Sequence, residues 1–326
     1  MKPITALALL LLGAASVAVG VQLRPRIEAT PQGAGRLMFP GIAEGLARAQ
    51  RIVVTGSGKT STLLRQDGRW TLAERGSYPV QPQKMRSLLA GLVELRLLEP
   101  RTANPASLAR LGVDDPASPS STAVAMKVTT EDGTVMADLL LGHRSQRSQG
   151  GLPETVYVRR AAEARAWLAE GRIPADADPQ SWLIREVIDI PADRMAHITV
   201  THGADAIEFA RSGDGMVLAN PPAGKLDEYR LREVSKALEG VTLADVRRGA
   251  LPGTSVGNTV FTTTDGLMIE VSVSREDKQL WASFTARGTG AETLQGLAGW
   301  AFQLPEWRQA ALVPVMTDLI GPEPAK

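Results

Sequence analysis

Residues 51–72 read RIVVTGSGKTSTLLRQDGRWTL, and residues 197–218 read HITVTHGADAIEFARSGDGMVL. Laid in one register without gaps, Ile52 falls on Ile198, Val54 on Val200, Trp70 on Met216 and Leu72 on Leu218. The same register runs on. Met85, Leu88, Leu92 and Leu95 meet Leu231, Val234, Leu238 and Val241; Leu97 then meets Leu243, and Arg101 meets Arg247. Two amphipathic helices match over a turn by chance. A single register held through strand, turn, strand and helix implies one unit used twice.

Each unit reads as physics. Arg51–Thr55 and His197–Thr201 are short β-branched strands, the side chains that suit a pleated, half-buried surface. A second strand follows in each, Trp70–Leu72 and Met216–Leu218, entered through Asp67-Gly68 and Gly213-Asp214-Gly215 turns. Met85, Leu88, Leu92 and Leu95 step by three, four and three, one face of a helix at 3.6 residues per turn. Leu231, Val234, Leu238 and Val241 step identically, predicting a second helix. Hairpins come next: Val124–Thr130 through Asp132-Gly133 to Val135–Leu141, and Thr259–Thr264 through Asp265-Gly266 to Leu267–Val273. The spacing then predicts a strand at Val156–Val158 and a helix over Ala161–Leu168. Their counterparts are Ala301–Leu304 and Glu306–Leu312. The expected fold is α+β, with two repeated units of antiparallel hairpin strands and packed helices after one N-terminal apolar helix. The units span 51–178 and 179–326, with Asp176-Ala-Asp-Pro179 beginning the crossing between them.

Composition sets the class. The chain has 326 residues, 44% hydrophobic and 22% charged, enough for real cores. Lys and Arg number 36 against 35 Asp and Glu, so no general electrostatic case exists for nucleic acid. Cys is absent and His occurs three times, which removes disulfides, thiolate sites and a Cys nucleophile. At the N-terminus, Lys2 precedes an uncharged run from Pro3 to Leu23 that Arg24-Pro25-Arg26 closes. About 20 apolar residues span a bilayer as a helix. Ser16-Val17-Ala18 also offers a small-x-small cleavage site, so residues 1–23 read as a membrane anchor or a signal segment. Residues 24–50 read as a linker, and the body is expected in the periplasm, tethered to the bacterial inner membrane by a single pass.

Several motifs tempt and fail. Thr55-Gly56-Ser57-Gly58-Lys59-Thr60-Ser61 follows an apolar strand, but a P-loop needs a Gly where Val53 stands and a helix after the Lys. It reads as a polar hairpin loop. His197 and His202 lie five apart beside a strand and His143 lies in the other unit, so no convergent zinc set forms. No Gly-x-Ser-x-Gly elbow is present, and Asp114-Asp115 and Glu131-Asp132 sit beside Pro or Gly as turn residues do. Trp70, Trp167, Trp182, Trp281, Trp300 and Trp307 read as packing residues, with an exposed partner-binding aromatic as the functional alternative. Arg144, Arg147, Arg159, Arg160 and Arg165 make a locally basic stretch, read as a solvated face or a contact for anionic headgroups. No residue emerges as catalytic, cofactor-binding or metal-ligating.

Asp67-Gly-Arg-Trp70, Tyr78-Pro-Val80, Leu111-Gly-Val-Asp-Asp-Pro116, Leu141-Gly142, Val156-Tyr-Val158 and Ser181-Trp-Leu183 occur in this order. That succession resembles the bacterial "domain of unknown function 4340" family over roughly residues 50 to 320. The resemblance implies one N-terminal anchor plus a duplicated extracytoplasmic α+β module, with no established catalytic residues. It also implies partners: an ABC transporter permease and a gliding-motility-type auxiliary protein, beside whose genes members are often encoded. The expected function is a non-catalytic, membrane-tethered extracytoplasmic accessory subunit of an ABC-type transport system acting through protein–protein contacts. The alternative is a free periplasmic module binding a small ligand or glycan.

Overall fold

The computed structural model describes residues 35–145, 154–213, 215–222 and 226–320. The chain is mixed, 23% helical and 45% strand, with large antiparallel sheets. Residues 1–23, read as the apolar anchor, lie outside the described residues, and among those described no helix is long and apolar enough to cross a membrane.

Nine strands form the first sheet: β1 (Ala49–Gly56), β2 (Lys59–Gln66), β3 (Arg69–Leu72), β4 (Tyr78–Pro79), β5 (Arg96–Pro100), β6 (Val124–Thr130), β7 (Val135–Ser145), β8 (Thr155–Arg160) and β9 (Ala166–Glu170). They are ordered β4-β3-β2-β1-β6-β7-β8-β9-β5. Two hairpins turn on left-handed pairs, Ser57-Gly58 at φ 49° and 72° and Asp67-Gly68 at φ 49° and 75°. Such pairs match the twist of the flanking strands. Ile52 then lies opposite Leu63 and Val128, and Leu63 opposite Leu72. All four are fully buried, and helix α1 (Pro82–Glu94) presses Met85, Leu88 and Leu92 onto the same core. Pro82 opens this helix, where its missing N–H costs nothing. Gly91 interrupts the apolar face because a Cβ there would lie 2.1 Å from the Arg172 carbonyl oxygen.

Two expectations are corrected in this half. Ala161–Leu168 is not a helix, because Ala166–Glu170 is strand β9. Val158 faces Trp167 on one edge and Leu97 faces Ala169 on the other. Pairing on both sides, with Ala166, Trp167 and Ala169 buried, outweighs the helix propensity of an Ala- and Glu-rich run. Residues 35–48 are also more than a linker. The Gly35 and Met38 N–H groups donate to the Leu97 and Leu95 carbonyls at 2.5 and 2.7 Å, and Leu97 N–H donates to Arg36 O at 2.9 Å. This strap covers the β5 edge, buries Met38 and Ile42, and reaches β1 through single helical turns at Ile42–Gly45 and Leu46–Arg48. It has no period to read because it is one extended contact followed by two turns.

The remaining strands are β10 (Glu186–Ile188), β11 (Met195–His202), β12 (Asp205–Ser212), β13 (Gly215–Leu218), β14 (Val241–Thr242), β15 (Asp245–Arg248), β16 (Thr254–Thr263), β17 (Leu267–Glu276), β18 (Gln279–Gly288) and β19 (Trp300–Leu304). Eight of them form the second sheet in the order β13-β12-β11-β16-β17-β18-β19-β15. Ile198 lies opposite Phe209 and Phe261, and Phe209 opposite Leu218. The register slips between Met195 and His197 as it does between Ala49 and Arg51. Val156–Val158 lies in β8, beside β7, while Ala301–Leu304 lies in β19, the place that β9 holds in the first sheet. The sequence pairing of these two segments is therefore off by one strand.

The second helix, α2, is Pro105–Leu111, on the far face of the first sheet, where Leu108 joins Val113, Ala123, Leu140 and Ala166 in a small separate core. The third, α3, is Glu228–Ser235 and is shorter than the periodicity predicts. Leu231 and Val234 lie on it, but Leu238 falls in the following turn and Val241 in β14. All four are buried, so the pattern reports burial where it no longer reports helix. Asp227 caps α3 by accepting from the Tyr229 and Arg230 N–H groups.

One loop of the first half locks into the second. Tyr78 packs edge-on against Trp300 at 5.0 Å and Phe302 at 6.3 Å. Its hydroxyl donates to Ile184 O at 3.3 Å. Arg75 meets Asp245 through two hydrogen bonds, Nε–Oδ1 at 2.5 Å and Nη2–Oδ2 at 2.9 Å. Val80 bridges Leu183, and Gln81 donates its backbone N–H to Trp182 O. A single apolar core runs through both halves as a result.

Candidate interaction surface

The residues that the sequence singles out disperse. The P-loop-like run is the β1–β2 hairpin, with Gly56 opposite Lys59. Lys59 reaches Asp178 at 2.6 Å and holds that carboxyl below its ordinary range. His143 contacts Thr122 Oγ1 and Arg110 O. His202 has its ring nitrogens 3.0 and 2.9 Å from Val256 O and Pro314 O, tying together distant backbone. His197 shares β11 with it. Among the described residues no group of three or more His, Asp or Glu could hold a metal ion. Asp115 accepts from Ala117 N–H and Asp114 from Ser121 Oγ, both local turn bonds. Asp132 and Asp265 are held below the usual carboxylate range, first by the Thr130 and Thr263 hydroxyls. Arg159 and Arg160 of the basic stretch hold the backbone at Val113 and Met38. Arg144 is exposed, and Arg147 lies outside the described residues.

Sequence reasoning missed one polar cluster between the halves. Lys84 Nζ lies 2.8 Å from Ser181 Oγ, 3.0 Å from Ser181 O and 3.5 Å from Asp176 Oδ2, over the Trp182 ring at 4.4 Å. Burial lowers the Lys84 ammonium and Asp176 opposes that shift. A Ser–Lys pair does chemistry when a neutral lysine takes the hydroxyl proton. Here the Ser181 hydroxyl donates to Asp178 O at 2.7 Å, and Lys84 donates to Ser181 while facing a carboxylate. Those are the bonds of a clasp holding the connector to α1. Ser181-Trp-Leu183 and Tyr78-Pro-Val80, two of the resemblance motifs, meet at this clasp and the neighbouring wedge.

A different surface has the chemistry of recognition. Trp70 is half-buried and Trp167, Trp182, Trp281 and Trp300 are buried, but Trp307 is 63% exposed. Tyr229 on α3 is 57% exposed, and Val315 and Ile320 also reach solvent. All belong to the layer that covers the second sheet: α3, the turn Glu306–Arg308, α4 (Gln309–Leu312) and the turn Met316–Leu319. That layer is firmly seated. Thr259 Oγ1 donates to Leu312 O at 2.5 Å. Arg308, buried and lowered by desolvation, donates to the carbonyls of Ala237, Glu239 and Gly240 while lying 4.4 Å over the Trp307 ring. Trp307 is thus held outward by its neighbour. The covering helix of the first half instead shows Gln83, Arg86, Ser87 and Glu94 to solvent.

A family model described as "Domain of unknown function (DUF4340)" matches residues 70–257. The chain belongs to this family. The DUF4340 match begins at Trp70 in β3 and ends at Gly257 in β16, so it contains the wedge at Tyr78, the clasp at Lys84 and the connector between the sheets. No curated protein and no solved structure matches the chain.

Proposed function

We propose that this DUF4340 chain is a non-catalytic, membrane-tethered extracytoplasmic accessory subunit of an ABC-type transport system, built from one α+β unit used twice and acting through protein–protein contacts. The observation that carries the reading is Trp307, held outward by the buried Arg308 on an ordered layer that also exposes Tyr229. Trp, Tyr and Arg are the residues in which binding energy concentrates at protein interfaces, and each large aromatic buries about 150–250 Å² on contact. The shared strand order of the two sheets supports duplication, and the uncharged run Pro3–Leu23 supports the tether.

The test is purification of the C-terminally tagged full chain from gently solubilised membranes, with mass spectrometry of what accompanies it. The expected result is an ABC permease and its ATPase in near-stoichiometric yield, and a drop of tenfold or more in Trp307→Ala with the fold intact. Recovery of the protein alone in the soluble fraction, lacking about 20 N-terminal residues, contradicts the reading and favours a free binding module.

A further inference from the structure

The two sheets differ at one strand edge, and the difference shows what is missing. In the second sheet β18 runs the full length of β17, so Leu267, Met268 and Ile269 pair with Gly288, Arg287 and Ala286. The turn Ala291–Leu297 then packs against β18, and Leu267 is only 4% exposed. In the first sheet β8 stops at Arg160 opposite Leu139, and Ala161 N–H closes the ladder on Asp138 O at 3.1 Å. Val135, Met136 and Ala137 have no strand on that side among the described residues. After a bulge at Met136, Val135 pairs with Thr129 as Met268 pairs with Thr262, and it is 49% exposed.

A groove of about 640 Å³ opens beside this edge, lined by Arg48, Asp132 and Met136. It adjoins one of about 450 Å³ that adds Phe39, Ile42 and Val135. In the second half the corresponding arginine and aspartate, Arg194 and Asp265, close on each other at 2.7 Å. In the first half Asp132 is occupied by the Thr130 and Thr134 hydroxyls, and the Arg48 side chain is exposed at the groove.

We infer that the Val135–Ala137 edge of β7 is a docking site for an extended segment of a partner protein, which adds a strand there as the end of β18 does in the second sheet. Backbone hydrogen bonds supply affinity, and alternate side chains supply specificity. An apolar residue of that segment rests on Val135, Met136 and Phe39, and a carboxylate meets Arg48. Residues 135–137 carry no charge and no Pro, two of the guards that keep unpaired strands from pairing. This inference rests on the reading of the chain as a partner-binding subunit and names where the partner sits.

Amide hydrogen exchange on the full chain, in native membranes and after purification, tests it. Exchange over Val135–Ala137 is expected to slow at least tenfold in membranes, and Val135→Lys to abolish that slowing with no change in melting temperature. Unchanged exchange in membranes from which the transporter co-purifies overturns the site and leaves the subunit reading standing. Slowing without any co-purifying transporter subunit supports the site and removes the transporter reading. Slowing that arises when the purified chain alone is concentrated overturns the inference in favour of a second copy.

Discussion

The two sheets share strand order and core register, yet they cover themselves differently. The first half spends its extra chain, residues 101–123, on a second small core across the back of its sheet. It leaves the β7 edge short of a partner strand. The second half completes that edge with β18 but shows Trp307 and Tyr229 on its helical layer. The halves therefore present two unlike surfaces, one an open backbone edge and the other a helical layer that exposes two separate aromatic rings. What joins them is lent by the first half: the loop bearing Arg75 and Tyr78 fits against β15 and β19 of the second.

The largest way to break this pairing is Tyr78→Ala. It removes a 7%-exposed ring from the Trp300–Phe302 contact and should cost about 3–5 kcal/mol. Denaturant unfolding should then split into two transitions as the halves uncouple. Arg75→Ala leaves Asp245 facing a part-buried gap and should cost about 1.5–3 kcal/mol. A double-mutant cycle with Asp245→Ala checks that the two residues act through each other. The helices offer a finer contrast, since α3 is capped by Asp227 whereas α1 has Pro82 and no side-chain cap. Asp227→Ala should cost about 1 kcal/mol, read from the shift in melting temperature.

Alkaline pH sharpens the comparison through the same tyrosine. Burial pushes the Tyr78 phenol from 10.0 up to about 12. The unfolded chain therefore releases this proton first, and stability present below pH 10 is lost as pH rises toward 12. Tyr78→Phe should remove that component of the slope, measured as unfolding free energy against pH. The smallest effect on stability is expected at Trp307→Ala, within about 0.5 kcal/mol, because surface changes away from caps and cores rarely cost more.

Much of this architecture is legible in the residues. Asp67-Gly68, Asp132-Gly133 and Asp265-Gly266 mark turns because each sets its Gly at a positive φ that other residues rarely adopt. Leu88 and Leu92 mark α1 because one helical face is buried. What escapes reading depends on partners distant in sequence. Trp167 lies in a strand because β5 and β8 flank it, although its own neighbours favour helix. Leu238 keeps helical spacing after the helix has ended. The strap at Gly35–Met38 exists only because β5 needs an edge partner. The clasp of Lys84 and Ser181 joins residues 97 apart, and nothing local to either announces the other. The exposure of Trp307 is likewise a property of the layer that displays it.

The most direct measurement is site-specific photo-crosslinking from position 307 in the full chain in native membranes, with the Glu292 turn of the same half as the control position. An adduct with an ABC permease subunit is expected from position 307 and none from 292. No adduct from 307, or adducts only between copies of this chain, would contradict it.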